Sequence, residues 1–431
     1  MATSKTRLPV LTESQTLRFL TVTAMYFAQG IQSGLIVTAI PAYMAMQGLS
    51  PTAISSFVAI VLFPWSLKLV SAPLMDRFSF LPMGRRRPWV IAGIFGSLIG
   101  YTIMALVPDP LNNLTLLIIA GTIVSTSTAF MDVAVDGMTI DIILPEEHSK
   151  ANAYMWGGRM LGLSATTAIA TWFLSNYGIP ITLILTAIVV GLLGLFPLLL
   201  RERSGERTFP WSTGEASPTS LGLQVNSWSA ILHNLFKVIF LPSSILLTLV
   251  AFLHGASNGL FKIFLPVLTV QELGWLDTDY ANVVASASFV GGILGMTIGG
   301  HLITRLGTLR GLKLLLLVLA AIGTTMGFLP TLWAEVMTIK IFIFSLYIFR
   351  TFFLIALFTA CMAICWKKVA ATQFTLYMAI SNFGVSLGAA SFGFLQKWCS
   401  SPQIFFVFGG LLFFLFLLLQ KVDLDQVTQD M

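Results

Sequence analysis

Residues 129–162 read AFMDVAVDGMTIDIILPEEHSKANAYMWGGRMLG, and the placing of charge in this stretch decides how the rest of the chain is understood. One apolar arm carries Asp132 and Asp136, and the other carries Arg159. With a rise of ~1.5 Å per residue and membrane boundaries near Ile143 and Ala151, Asp136 and Arg159 lie roughly 10–12 Å deep in a hairpin of two membrane helices. Asp132 shares the face of Asp136 one turn deeper, so one acidic stripe can meet Arg159 on the neighbouring helix. Asp141 points to the opposite face, near the interface. Charge at such depth is costly unless it faces a partner or a water-filled cavity, and it marks a functional region. The plainer alternative is a structural ion pair between Arg159 and one aspartate. A single base cannot neutralise two acids, which leaves one carboxylate to titrate or to bind.

The surrounding composition fits a membrane. Of 431 residues, 56% are hydrophobic and only 10% charged, and the mean hydropathy is +0.87. That balance excludes a soluble globule, and apolar runs of about 20 residues, each able to cross a ~30 Å hydrocarbon core, recur throughout. The reading is an all-α membrane protein of twelve spans, at about 18–46, 53–74, 87–107, 113–142, 151–174, 179–200, 242–269, 279–304, 311–330, 335–364, 371–395 and 402–420. This divides the chain into a six-helix half (1–200), a polar linker (201–241) and a second six-helix half (242–431). Trp228, Ile231, Leu232, Leu235 and Ile239 recur at helical spacing, so the linker should end in an interfacial amphipathic helix. Of the 24 Lys and Arg residues, eighteen fall in the tails, linker and loops of one side, and only Lys397 in the loops of the other. The asymmetry places both termini in the cytoplasm. The basic pI near 9.3 therefore reflects loop topology and does not imply nucleic acid. The N-terminal tail has no cleavable signal pattern, and the first span can serve for insertion. Cys361, Cys365 and Cys399 form no disulfide framework.

The halves echo one another. APLMDRFSFLPMGRRRPW (72–89) follows the second span and GHLITRLGTLRG (300–311) the eighth. Each sets a leucine three residues before an arginine at a span end, with glycine and further arginines after it. Two-fold repetition of six-span units is a transporter signature. The first loop resembles the signature of the major facilitator superfamily, with Leu74, Asp76, Arg77, Gly84, Arg85, Arg86 and Arg87 in the matching places. It departs from that signature in having Ala72 for the leading glycine and five extra residues before Gly84; in the second copy Thr304 replaces the acid. Within the superfamily, LKLVSAPLMDR (67–77), FMDVAVDGMTIDIILPEE (130–147), GGRMLG (157–162) and AATQFTLYMAISNFG (370–384) resemble the branch of AmpG-like muropeptide permeases and acetyl-coenzyme A transporters. Met131 stands where that branch usually has an amide or acid.

The resemblance implies a twelve-helix fold and alternating access, with Asp76, Arg77, Arg85, Arg86 and Arg87 forming a conformational-switch loop. It also favours a cavity role for Lys68 over snorkelling to the interface. His254, Asn258 and Lys262 form an i, i+4, i+8 polar stripe in the seventh span, and Lys340, Tyr347 and Arg350 share a broad face of the tenth. Gln29, Gln32 and Asn382 offer uncharged hydrogen bonds, either to a solute or across helices. Deep in the membrane two acids face up to five bases (Lys68, Arg159, Lys262, Lys340 and Arg350), so an anionic or zwitterionic small molecule is the expected cargo. The expected binding set is Lys68, Arg159, Gln29, Asn258, Lys262, Arg350 and Asn382, with Asp132 or Asp136 carrying a coupled proton. Glycines at fourth positions (Gly158 with Gly162; Gly291, Gly295 and Gly299; Gly384 with Gly388) should let helices approach closely, and Pro41, Pro64 and Pro266 should bend spans.

No Walker loop or HExxH occurs, and the four histidines are scattered, so neither nucleotide hydrolysis nor an intramembrane enzyme is expected, and no cofactor or metal. The branch implies import of a muropeptide such as an anhydromuramyl peptide across a bacterial inner membrane, by a monomer whose partners are lipid, solute and protons. Two alternatives remain: a carrier of acyl-coenzyme A or another organic anion, and a non-transporting scaffold or pigment-assembly factor like the PucC-like relatives.

Overall fold

The computed structural model describes residues 9–225 and 227–424; the ends of both tails, whose side of the membrane the charge pattern addresses, lie outside them. The described residues fold as helices joined by short turns, and their one extended pairing is an isolated bridge between Val10 and Arg201. Eleven helical stretches among them are long and apolar enough to cross a membrane. One, Pro145–Leu199, runs for 55 residues. At ~1.5 Å per residue that is about 80 Å, far beyond a ~30 Å core. Gly178 breaks it with φ 77° and ψ −176°, next to Pro180, between the fifth and sixth spans of the sequence reading. The count reaches twelve only when this stretch is divided there.

Elsewhere the observed helices follow the apolar runs closely, as in Leu114–Ile142, Val336–Ala363 and Ser401–Leu418. Each of the three prolines lies at a departure from α geometry. Ser33–Ala39 is a π-helical turn just before Pro41, Phe63–Leu67 is a 3-10 turn containing Pro64, and Val267–Glu272 is a π turn directly after Pro266. Proline has no N–H for the carbonyl four residues back and crowds it, so the helix widens or tightens beside it.

The chain packs as two compact units. The first comprises the described residues of Met1–Leu144, Leu161–His233 and Lys367–Thr375. Its centre is an antiparallel hairpin of Arg87–Ala105 and Leu114–Ile142. Gly93, Gly96 and Gly100 form the seam, and a Cβ at Gly93 would stand 2.8 Å from the Ser127 carbonyl. Gln15–Gln32 lies antiparallel to the same long helix, since Tyr26 meets Asp136 and Gln32 meets Ser125. The linker is folded rather than slack: Glu202, Arg203, Glu206 and Ser220 are all buried in this unit.

The second unit comprises Pro145–Met160, Asn234–Trp366 and the described residues of Leu376–Met431. Here Gly255 and Gly259 interlock with Gly384 and Gly388, so that backbone carbonyls of Phe252, Ala256, Ser381 and Val385 occupy the places where Cβ atoms would fall. Side chains there would force the helices apart. Its core is aromatic, built from Phe261, Phe264, Phe342, Phe405, Phe408 and Trp333. The amphipathic stretch is the helix Trp228–Ile239, with Ile231 and Val238 buried while Trp228, Leu232 and Phe236 are exposed.

Candidate functional site

In the first unit the charged stripe of Leu114–Ile142 meets the second span and the first. Asp132 is fully buried and forms an ion pair with Lys68, itself 3% exposed. Lys68 also sits over the Trp65 ring at 4.3 Å. Its ammonium therefore points inward and does not snorkel. Four residues on from Asp132, Asp136 accepts a hydrogen bond from the Tyr26 hydroxyl. Gln32 donates to Ser125 Oγ at 3.0 Å, one level deeper. Between Tyr26 and Gln32 lies Gln29, fully buried, with neither amide atom hydrogen-bonded among the described residues. The antiparallel register sets Gln29 at the level of Asp132, whose Oδ1 also lacks a hydrogen-bond partner. Unsatisfied buried polar atoms are expensive, so this cluster has hydrogen-bonding capacity to spare for water or another polar group.

In the same unit the switch-loop residues form one network. Arg86 binds Asp76, and through Nε binds Asp141 at 3.2 Å. Arg85 reaches both Asp141 oxygens at 3.1 Å, Asp76 at 3.3 Å and the carbonyls of Lys367 and Lys368 at 2.8 Å. The second Asp76 oxygen accepts the backbone N–H and hydroxyl of Thr372, at 3.0 and 2.6 Å. Burial would lower the affinity of Arg86 for its proton, but Asp76 and Asp141 outweigh it and raise that affinity; in Arg85, burial and the neighbouring Arg86 prevail and lower it. Arg87 spends its guanidinium on the carbonyls of Pro197, Leu198, Arg207 and Thr208. Arg77 stacks over Phe78 and Trp228 at 5.0 and 4.7 Å.

The second unit gathers the remaining cations. Arg350 and Arg159 both lie within electrostatic reach of Lys262. Arg350 packs against Tyr347, and Arg159 over Trp156, which is itself stacked on Phe358 at 5.3 Å. Among the described residues neither Lys262 nor Arg350 forms an ion pair. Behind Arg350 a cavity of about 20 Å³, room for one water, is lined by His254, Ser257 and Asn258. Arg350 Nε, Asn258 Oδ1 and His254 Nδ1 lack hydrogen-bond partners there. The His254 ring packs against Phe353 with centroids 4.2 Å apart. Asn382 is exposed, and its backbone carbonyl accepts a hydrogen bond from the Ser386 hydroxyl at 3.3 Å. Lys340 stands apart from this group and lines a separate cleft of about 500 Å³ with Trp275, Asp279 and Trp333.

Sequence reasoning set Arg159 opposite the aspartates, because the hairpin makes them neighbours in the chain. The cation that the structure sets against Asp132 is Lys68, 64 residues away. Tyr26, Asp141, Glu202 and Thr372 were outside the expected set. Only Asp141 carried a signal, as a third acid on the far face of the same helix.

The family model of the Major Facilitator Superfamily matches residues 22–389. The chain is 21% identical to the anhydromuropeptide permease of Escherichia coli (strain K12) over 365 residues, 83% of this chain and 70% of that protein. It is 25% identical to the AmpG 4 protein of Rickettsia conorii over 299 residues, 66% of this chain and 68% of that one. Among solved structures it resembles the transporter FucP in its outward conformation, with a TM-score of 0.71 at 12% identity, covering 94% of this chain and 98% of that one.

Proposed function

This chain belongs to the Major Facilitator Superfamily and is a transporter rather than an enzyme, and we propose that it is a proton-coupled secondary carrier that imports an anionic or zwitterionic muropeptide by alternating access. The observation that carries the cargo class is the group formed by Arg159, Lys262 and Arg350 in the second unit, with Lys262 and Arg350 lacking a carboxylate partner among the described residues. Cations kept in a desolvated place without counter-charge are costly, and a solute bearing carboxylates would relieve that cost. An anhydromuramyl peptide has several carboxylates and an amine. The likeness to an anhydromuropeptide permease points to the same cargo. Acyl-coenzyme A or another organic anion is the runner-up on charge alone.

Proton coupling rests on the acidic pair. Asp132 is tied to Lys68, and one helical turn on Asp136 accepts a hydrogen bond from the Tyr26 hydroxyl. Buried carboxyls within membrane spans serve as proton relays, and we assign the coupling role to Asp136. The test is uptake of labelled anhydromuramyl peptide into proteoliposomes, with and without an inward proton gradient. Gradient-driven uptake is expected in the native protein, and its loss in Asp136→Asn with solute binding retained. Undiminished gradient-driven uptake in Asp136→Asn would remove Asp136 from the coupling step. No uptake by the folded protein would remove the muropeptide, and acyl-coenzyme A and other organic anions would be assayed next.

A further inference from the structure

The segment that follows Leu200 begins RERSGER and carries two glutamates that are both fully buried, although it lies outside the membrane spans. Glu202 is pinned at the start of the helix Arg87–Ala105. It accepts the backbone N–H groups of Arg85 at 2.9 Å, Arg86 at 2.7 Å and Arg87, and Arg203 Nη1 stands 3.3 Å away. Three successive N–H groups aimed at one carboxylate require a sharp turn before them. Gly84 supplies it with φ +107°, where a Cβ would also fall 2.7 Å from the Glu202 carboxyl carbon. Backbone bonds from Leu11 and Thr12 to the carbonyls of Arg201 and Glu202, at 2.8 and 3.1 Å, fasten the segment from the other side.

Glu206 is held differently. Its carboxylate accepts the backbone N–H of Arg203 at 2.9 Å and the hydroxyl of Ser220 at 3.2 Å, and Ser220 is in turn tied to Ser217 at 2.9 Å. The charged groups around it spend their hydrogen bonds elsewhere, although the charges of Arg203 and Arg87 still act on it. Arg203 bonds Glu202 and the Asp141 carbonyl, Arg87 is spent on four carbonyls, and Arg201 reaches the Glu206 backbone carbonyl at 3.3 Å. The donors that bond the Glu206 carboxylate are thus neutral, and burial together with a second buried carboxylate, Glu202, outweighs the attraction of the Arg203 charge for its negative form.

We propose that Glu206, clasped beside Glu202 at the base of the Arg85–Arg87 loop, is a proton-binding site whose occupancy sets how firmly the 201–220 segment holds that loop. Burial first, and then the charge of Glu202, push the Glu206 carboxyl up to about 7 from its ordinary 4.5. An acid whose affinity for its proton is higher in the closed arrangement stabilises that arrangement while protonated. The grip is therefore full below about pH 4.5, weakens as pH rises through about 7, and is level above it. The site is independent of the cargo, and titrates on the side of the membrane that the basic loops mark as cytoplasmic.

Hydrogen exchange of the purified full-length protein at pH 6 and pH 8, corrected for the intrinsic rate, tests this. Protection of residues 82–92 and 200–217 should fall by up to about tenfold between the two pH values in the native chain. In Glu206→Gln, which mimics the protonated form, protection should stay at the pH 6 level throughout. Ser220→Ala, a smaller change that removes a donor to the ionised form, should move the step to higher pH. A flat native profile, a pH step that survives in Glu206→Gln, or one unmoved in Ser220→Ala would overturn the proposal.

Discussion

In the first packing unit Lys68 lies against Asp132, and Arg85 and Arg86 share Asp76 and Asp141, whereas in the second Lys262 and Arg350 stand near one another with no ion pair among the described residues. Both arrangements bury charge, yet they do different work. A paired charge has already repaid part of its desolvation inside the fold, so it reports on structure and on switching. A cation without a counter-charge keeps its electrostatic attraction for whatever enters. On the proposed function, the pairing state of a buried charge, more than its depth, separates residues that hold the protein from residues that would meet a solute.

Breaking a pair should have the largest effect. Lys68→Met leaves Asp132 buried and uncompensated, and should cost about 3–5 kcal/mol of stability, read as a lowered melting temperature in detergent. Lys68→Met combined with Asp132→Leu should recover most of that loss. A double variant as unstable as the single would show that the pair is not what destabilises the single. Tyr26→Phe comes next. It removes the hydroxyl bonded to Asp136 and should cost about 1.5–3 kcal/mol, the value of a hydrogen bond to a charged acceptor. The smallest effect on stability belongs to Arg350→Met. With no ion pair to lose, its melting temperature should stay level or rise, while uptake of the anionic solute drops at least tenfold. A strong destabilisation by Arg350→Met would mean that this cation, too, serves the fold, and would erase the contrast.

The fold was legible because a bilayer imposes a length and an apolar composition on every span. Leu114–Ile142 and Val336–Ala363 begin and end within a residue of the apolar runs that announce them. The Gly178 break was less so, because a single glycine leaves no polar loop to mark where one span ends. At the candidate site, the shared face of Asp132 and Asp136 could be read from helical spacing, but the side chains that Lys68 and Tyr26 bring to them could not. Tertiary packing delivers Lys68 to Asp132 and Tyr26 to Asp136 from 64 and 110 residues away, separations that local spacing does not reveal. The linker misled for a related reason. RERSGER has the composition of a solvated stretch, yet Glu202 is buried where the distant N–H groups of residues 85–87 need an acceptor, and Glu206 is buried against the Arg203 N–H and the Ser220 hydroxyl.

The widened turns at Ser33–Ala39, Val267–Glu272 and Gly295–Gly299 bear on how this chain tolerates changes in length. A π turn is an α-helix carrying one surplus residue, absorbed locally so that the flanking faces keep their orientation. Removing a residue from an ordinary membrane helix rotates everything beyond the cut by about 100° and turns lipid-facing side chains inward. At these three places the same deletion would relax the bulge into plain α-helix with both flanks still correctly aimed. They are the points within the spans where the protein can be shortened without being turned inside out.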